Sequence, residues 1–178
     1  MRFCSIASGS SGNCIYVGSD NTHVLVDIGI SGKKMETGLN SLELTGRDLD
    51  GILITHEHSD HIKGLGVISR KYGIPIYATA GTVDAMVRTN ALGKIPEGIF
   101  HEIQEDEPFM INDLKVNPFT IPHDAAQPVG YRLEHEGHSV GIATDLGKYN
   151  DYIIENLQGL DALLLEANHD IRMLQVGK

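Results

Sequence analysis

Three histidines and two acidic residues occupy the six positions that follow a short apolar run. The run, Ile52-Leu53-Ile54, has the composition of a buried strand, and the polar Thr55 ends it. The cluster that follows, His56-Glu57-His58-Ser59-Asp60-His61, does not suit an ordinary core, because imidazoles and carboxylates that lose their hydration together need a compensating cation. Imidazole and carboxylate ligands together suit zinc, manganese or iron better than calcium. The segment therefore predicts a metal site at the end of a strand.

The spacing within this cluster provides ligands for two ions. Alternate residues of an extended backbone share a face, so His56 and His58 can bind one ion. Asp60 and His61 come where the chain turns into a helix that we expect to begin near Ile62, and they can face a second ion. Two ions about 3.5–4 Å apart can share a bridging water and contact both the attacking and the leaving oxygen of a substrate. A solvated polar turn is the alternative, but it does not explain why a strand, a ligand cluster and a helix coincide.

His-x-His-x-Asp-His after an apolar strand is the signature of the metallo-β-lactamase superfamily, and the chain resembles that superfamily along its whole length. The resemblance implies an α/β (α+β) fold, the αββα sandwich, in which two mixed sheets pack face to face with helices outside. It implies two divalent ions, zinc or manganese, at one edge of the sheets. The residues that match its metal ligands are His56, His58, Asp60, His61, His123 and Asp145.

The resemblance also implies a role for each of these residues. His56, His58 and His123 would bind the first ion, while Asp60, His61 and Asp145 would bind the second and form the catalytic group. An aspartate at the end of an earlier strand, Asp27, matches the residue that supports the metal-binding histidines from behind. The common zinc β-lactamases carry cysteine where this chain has Asp145, which argues against antibiotic hydrolysis.

A loop of glycines and small hydroxyl residues, Ser8-Gly9-Ser10-Ser11-Gly12-Asn13, follows the first predicted strand. Glycines permit a tight turn, so one interpretation is a simple connection between two strands. The other is a loop beside the metals, in which Ser10, Ser11 and Asn13 contact an anionic substrate. The loop lacks the lysine of a nucleotide-binding P-loop, which excludes that class of site.

Length and composition restrict the class of protein further. The chain has 178 residues, enough for one domain, and no run that is long and apolar enough to span a bilayer. No secretory signal pattern is present at the N-terminus, so we expect a cytoplasmic protein without a membrane partner. The net charge of −10 opposes a broad nucleic-acid footprint, so a polyanion would need the metals and a local basic strip. The candidates for that strip are Lys33, Lys34, Arg70 and Lys71.

Three segments together resemble the bacterial YycJ/WalJ group of metal-dependent exonucleases. They are the serine-glycine loop, the histidine cluster, and the strand end Leu165-Glu166-Ala167-Asn168-His169-Asp170. The resemblance implies a hydrolase that digests DNA from 5′ to 3′ through a metal-bridged hydroxide. The alternatives are an RNA-processing nuclease or a glyoxalase-type thioesterase of the same fold, and a non-catalytic metal-binding module.

The second ion's site is expected to be incomplete. The superfamily completes it with a further histidine, which in the resembled group lies in a Gly-His-Leu-Ser type stretch that does not occur before Lys178. His169 lies nearby in sequence but follows the strand end directly, which makes it the less favoured candidate for that ligand. We therefore expect residues 1–178 to be a single metallo-β-lactamase domain that is C-terminally incomplete. Such a chain would bind its second ion weakly and turn over slowly or not at all.

Overall fold

Two mixed β-sheets form the centre of the computed structural model, which describes residues 1–166. The first sheet has the strand order β1-β2-β3-β4-β5-β6. Its strands are Arg2–Ala7, Cys14–Gly18, His23–Val26, Gly51–Leu53, Ile76–Thr79 and Phe100–Ile103. The second sheet has the order β11-β10-β9-β8-β7. In chain order its strands, β7 to β11, are Phe109–Ile111, Leu114–Thr120, Val129–His135, His138–Ala143 and Ala162–Leu165.

Five helices complete the described part of the chain. They are α1 Gly32–Ser41, α2 Ser59–Ile62, α3 Leu65–Tyr72, α4 Ala80–Arg88 and α5 Asp151–Leu157. Alternation along the strands separates two cores: Ile15 and Val17 pack between the sheets, whereas Tyr16 packs towards α1 and α3. A smaller apolar cluster joins α5 to the second sheet. The predicted sandwich of two mixed sheets with helices outside is confirmed. Within residues 1–166 no helix has the length and apolarity needed to cross a membrane.

The chain directions bring several strand ends to one edge. β3, β4 and β5 run parallel, so the segments after β3 and β4 leave the first sheet on the same side. β8 and β10 both pair antiparallel with β9 and therefore run parallel to each other in the second sheet. Asp27, His56, His123 and Asp145 follow β3, β4, β8 and β10 respectively. Residues far apart in sequence thus reach a common edge.

The histidine cluster lies directly against the loop that follows β3. A Cβ atom on Gly29 would lie 1.5 Å from the carbonyl oxygen of Asp60, so only glycine fits there. The backbone N–H of Asn13 donates to the same carbonyl at 2.8 Å, and Gly29 N–H donates to the Asn13 carbonyl at 2.7 Å. Three loops are therefore joined through their backbones beside the cluster.

The helix after the cluster differs from the prediction in its start and its continuity. We expected it to begin near Ile62, but α2 begins at Ser59, immediately after the extended His58, and α3 begins only at Leu65. The break lies at Gly64, where a Cβ atom would come within 2.2 Å of the Ile30 carbonyl oxygen. The close approach of these two backbones separates α2 from α3.

Candidate metal centre

Three imidazole nitrogens meet beyond the ends of β4 and β8. Nδ1 of His58 lies 3.1 Å from Nε2 of His56 and 3.2 Å from Nε2 of His123. Two nitrogens bound 2.0–2.1 Å from a tetrahedral zinc ion would be about 3.3–3.4 Å apart. The observed spacing therefore fits three ligands of one divalent ion with little rearrangement. These are the three residues predicted for the first ion.

A second group of ligand atoms uses one of the same histidines. Oδ2 of Asp145 lies 2.8 Å from Nε2 of His61 and 3.7 Å from Nε2 of His56. His56, His61 and Asp145 could together hold an ion, as could His56, His58 and His123. Oδ2 of Asp60 lies 3.6 Å from Nε2 of His61, at the margin of this group. The prediction grouped Asp60 with His61 and Asp145 but did not anticipate that His56 faces both groups.

Asp27 holds the second group from behind, within the protein interior. Its Oδ2 lies 2.8 Å from Nδ1 of His61, and its two oxygens accept the N–H and the hydroxyl of Thr55 at 2.9 and 2.8 Å. The Thr55 hydroxyl in turn lies 3.0 Å from Nδ1 of His56. With Nδ1–H of each imidazole donating in this network, the Nε2 atoms of His56 and His61 are directed at the site. Thr55 was not predicted, because its polar role depends on Asp27 and not on any motif spacing.

Two aspartates at strand ends adopt a left-handed backbone. Asp27 has φ +61° and Asp145 has φ +55°, a region that non-glycine residues seldom occupy. Asp27 follows β3 and Asp145 follows β10, so in both cases the turn directs a carboxylate to the same edge. Unusual backbone conformations of this kind concentrate at functional sites, where the surrounding contacts maintain them.

Two neighbouring histidines of the cluster, His56 and His61, have pKa values shifted in opposite directions. Burial, together with the neighbouring imidazoles of His61 and His123, lowers the pKa of His56 from 6.5 to about 2, so His56 is neutral with a lone pair available. For His61 burial also acts to lower the pKa, but the carboxylates of Asp27 and Asp145 prevail and raise it to about 10. The hydrogen bond from His61 lowers the pKa of Asp145. In the metal-free protein His61 therefore carries a proton that a cation would replace.

The loop that carries His123 is held by a carboxylate from within the histidine cluster. Oε1 of Glu57 accepts the backbone N–H of Ala126 at 2.8 Å, and its Oε2 is buried without a hydrogen-bond partner among residues 1–166. The next residue, Gln127, accepts the Gly81 N–H at 2.7 Å through its side-chain oxygen. No sequence signal indicated Glu57, because its partner lies 69 residues away.

The serine-glycine loop contacts the centre through its last residue. The side-chain amide of Asn13 lies 3.2 Å from Nε2 of His61, and its oxygen accepts the Gly9 N–H at 3.0 Å. Asn13 is buried, whereas Ser10 and Ser11 are exposed. Of the three residues predicted to contact a substrate, the two serines are open to solvent and Asn13 faces the metal ligands instead.

The predicted basic strip is only partly available. Lys71 forms an ion pair with Glu36, and Arg70 donates to the carbonyl oxygens of Leu92 and Lys94 at 2.8 and 3.0 Å. Lys33 and Lys34 are exposed on α1. Local acceptors thus already engage Arg70 and Lys71, and the basic strip stays a prediction. The remaining C-terminal predictions, which concern Ala167, Asn168, His169 and Asp170, fall outside the described residues.

Comparison with known proteins adds the family context. A family model described as a β-lactamase superfamily domain matches residues 22–176. The chain is 40% identical over 178 residues to the exodeoxyribonuclease YycJ of Bacillus anthracis, covering 100% of this chain and 67% of that relative. It is 39% identical over 177 residues to the exodeoxyribonuclease WalJ of Streptococcus pneumoniae, covering 99% of this chain and 66% of that relative.

A solved structure supports the fold independently. Zinc-bound PqqB from Methylobacterium extorquens matches with a TM-score of 0.74 at 19% identity, covering 93% of this chain and 64% of that one. At this identity the likeness concerns the fold alone. The chain spans about two thirds of the length of the relatives it matches.

Proposed function

Because the chain belongs to the β-lactamase superfamily, we propose that it is a metal-dependent phosphodiesterase that digests DNA as a 5′-to-3′ exonuclease. Two relatives named as exodeoxyribonucleases, each about two fifths identical over nearly the whole chain, support DNA as the substrate. With DNA as the substrate, the compartment of action that we propose is the cytoplasm.

The observation that carries the proposal is the shared position of His56. Its Nε2 lies near His58 on one side and 3.7 Å from Oδ2 of Asp145 on the other, so the two ligand groups are adjacent. Adjacent groups suit a pair of ions, and a pair is the arrangement that serves phosphodiester hydrolysis. A single isolated site of three histidines would hold one ion and not a pair.

The donor set suits zinc or manganese. Three imidazole nitrogens match zinc, and the carboxylates of Asp60 and Asp145 supply oxygen ligands that manganese also accepts. When bound, such ions would neutralise phosphate charge and lower the pKa of a coordinated water towards about 7. The residues proposed to hold them are His56, His58, Asp60, His61, His123 and Asp145.

The protein's own side chains contribute orientation and a proton acceptor. Asp27 and Thr55 fix the imidazoles of His61 and His56, so their lone pairs need not reorient. The Asp60 side chain is 33% exposed against 18% for Asp145, which makes Asp60 the carboxylate of the cluster more open to solvent. We assign Asp60 the role of accepting a proton from the attacking water.

A comparison of substrates tests the function. The protein is incubated with 5′-phosphorylated duplex DNA, RNA of the same sequence and S-lactoylglutathione, each with Mn²⁺ or Zn²⁺ and with a chelator control. DNA labelled at one end or the other reports polarity. Because the second ion is expected to be held weakly, we expect slow, metal-dependent digestion of DNA with early release of the 5′ label. Preferred hydrolysis of RNA or of the thioester would replace the proposed function with one of the alternatives.

A further inference from the structure

A groove runs between β1 and α1, next to the serine-glycine loop. It has a volume of about 480 Å³, and Ile6, Ala7 and Ile30 contribute its apolar part. The helix approaches the strand closely: a Cβ atom on Gly38 would lie 2.4 Å from Cγ2 of Ile6. The groove is therefore a concave surface formed by well-packed elements.

The charges along this groove have one sign. Lys33 and Lys34 line it, and no carboxylate is among its lining residues within the described part of the chain. Neither ammonium group forms an ion pair with another residue of the range 1–166, and both side chains are exposed. The acidic residue of the same helix, Glu36, is engaged by Lys71 and Tyr72. In a chain with 24 acidic and 14 basic residues, a groove with only cations is a local reversal of charge.

The groove leads towards the metal ligands through the serine-glycine loop. Ser11 lines the groove, and two residues later the side chain of Asn13 lies 3.2 Å from Nε2 of His61. The loop is fixed between these points, because Gly12 N–H donates to the Gly9 carbonyl at 2.9 Å and Asn13 N–H donates to the Asp60 carbonyl at 2.8 Å. One short loop with a fixed backbone therefore connects the groove to the ligand cluster.

We propose that this groove binds the DNA strand whose phosphodiester is hydrolysed at the histidine and aspartate cluster. Lys33 and Lys34 contact backbone phosphates, the apolar part receives sugars and base faces, and Ser11 lies where the strand turns towards His61. The inference rests on the proposed function and adds the path of the substrate. Charge complementarity favours DNA as the occupant, because the two unpaired ammonium groups attract a polyanion. An acidic peptide would share the charge but would lack the sugar and base surfaces that fit the apolar part of the groove.

Binding measured without metal tests the groove separately from the chemistry. Fluorescence anisotropy of a labelled single-stranded DNA oligonucleotide is recorded in EDTA at several salt concentrations. The variant Lys33→Gln/Lys34→Gln is compared with the wild type and with Arg88→Gln/Lys94→Gln, which removes the same charge from exposed residues outside the groove. Hydrolysis of bis(p-nitrophenyl) phosphate with Mn²⁺, a substrate too small to reach the groove, is measured in parallel.

We expect the groove variant to bind DNA more weakly and to reduce the slope of log affinity against log salt by about 1.4, since each single-strand phosphate contact contributes about 0.7. The control variant should retain the wild-type slope, and all three proteins should hydrolyse the small diester equally. Equal DNA binding by the groove variant and the wild type would overturn the proposal that the groove binds DNA, and it would not affect the proposed hydrolase function. Loss of binding in the groove variant, with no diester hydrolysis by any protein, would support the groove and overturn the proposed function.

Discussion

The carboxylate of Asp27 lies 2.8 Å from Nδ1 of His61, and both side chains are fully buried. Asp27 thereby fixes which nitrogen of His61 faces the candidate metal centre. Hydrogen bonds of this kind to a ligand that binds the metal typically affect metal affinity by about 10–100-fold. The contact gives a first prediction.

Asp27→Asn should weaken zinc binding by about 10–100-fold, because a neutral amide no longer orients His61 as an anion does. Competition with a chromophoric chelator measures the affinity. Asp113→Asn is the matched control, since Asp113 accepts hydrogen bonds from Ser19 and Thr22 in a turn outside the cluster. Equal zinc affinity in the wild type and Asp27→Asn would remove Asp27 from the centre.

Metal binding should release a proton from His61. Asp27 and Asp145 raise the pKa of His61 to about 10, so the metal-free protein holds that proton at neutral pH and an ion must displace it. Apparent affinity at the second group should therefore rise with pH, by up to about tenfold per unit below pH 10. Calorimetry in buffers of different ionisation enthalpy counts the protons, and no release at pH 8 would contradict the protonated state.

The same shifts predict how the stability of the metal-free protein depends on pH. The raised pKa of His61 stabilises the fold fully below pH 6.5, and this contribution is lost as pH rises towards about 10. The lowered pKa of His56 has the opposite effect: its contribution is present above 6.5 and is lost as pH falls towards about 2. Thermal unfolding in EDTA should show both declines. Replacing His61 with Gln should flatten the alkaline limb, and an unchanged alkaline limb would contradict the assignment.

Glu57 should position the loop that carries His123. Glu57→Ala removes the acceptor of the Ala126 N–H, so that amide should exchange faster with solvent and zinc affinity should fall. Glu57→Gln retains a side-chain oxygen as acceptor and should restore most of the protection. Amide exchange at Ala126, followed by NMR, distinguishes a local release from general destabilisation. Unchanged exchange in Glu57→Ala would show that the contact does not hold the loop.

Asp145→Asn should remove one ion and retain the other. The substitution replaces the carboxylate next to His56 and His61 with a neutral amide, while the nitrogens of His58 and His123 remain in place. The zinc content of the variant, measured by mass spectrometry, should fall by one ion per chain, namely the ion bound by the group that contains Asp145. Loss of all zinc would show that the two groups form one inseparable site.

The fold and the strand-end ligands were predictable from sequence because each depends on local patterns. Apolar runs that end in polar residues located β4 and β10, and the motif spacing located His56, His58 and His61. These features follow from the two-residue period of strands and from ligand chemistry.

The contacts that orient the ligands were not predictable, because they depend on tertiary approach. Glu57 meets Ala126 across 69 positions, and Thr55 joins His56 to Asp27 only because β3 and β4 are neighbours. The close approach of Gly29 to the Asp60 carbonyl at α2 is likewise a tertiary contact, which no helical propensity encodes. The sequence therefore predicted which candidate ligands come together and that Asp27 lies behind them, but not the contacts made by Thr55 and Glu57.

The most direct measurement of the central claim is zinc binding to the wild type and to His58→Ala by isothermal titration. His58 is half-buried at the start of α2 and its Nδ1 lies within 3.2 Å of the other two nitrogens of the first group, so its loss should remove an ion with little effect on the fold. We predict tight binding by the wild type, its loss in His58→Ala, and the same circular dichroism spectrum for both proteins. Zinc binding by His58→Ala that is as tight as that of the wild type would contradict the metal centre described for this chain.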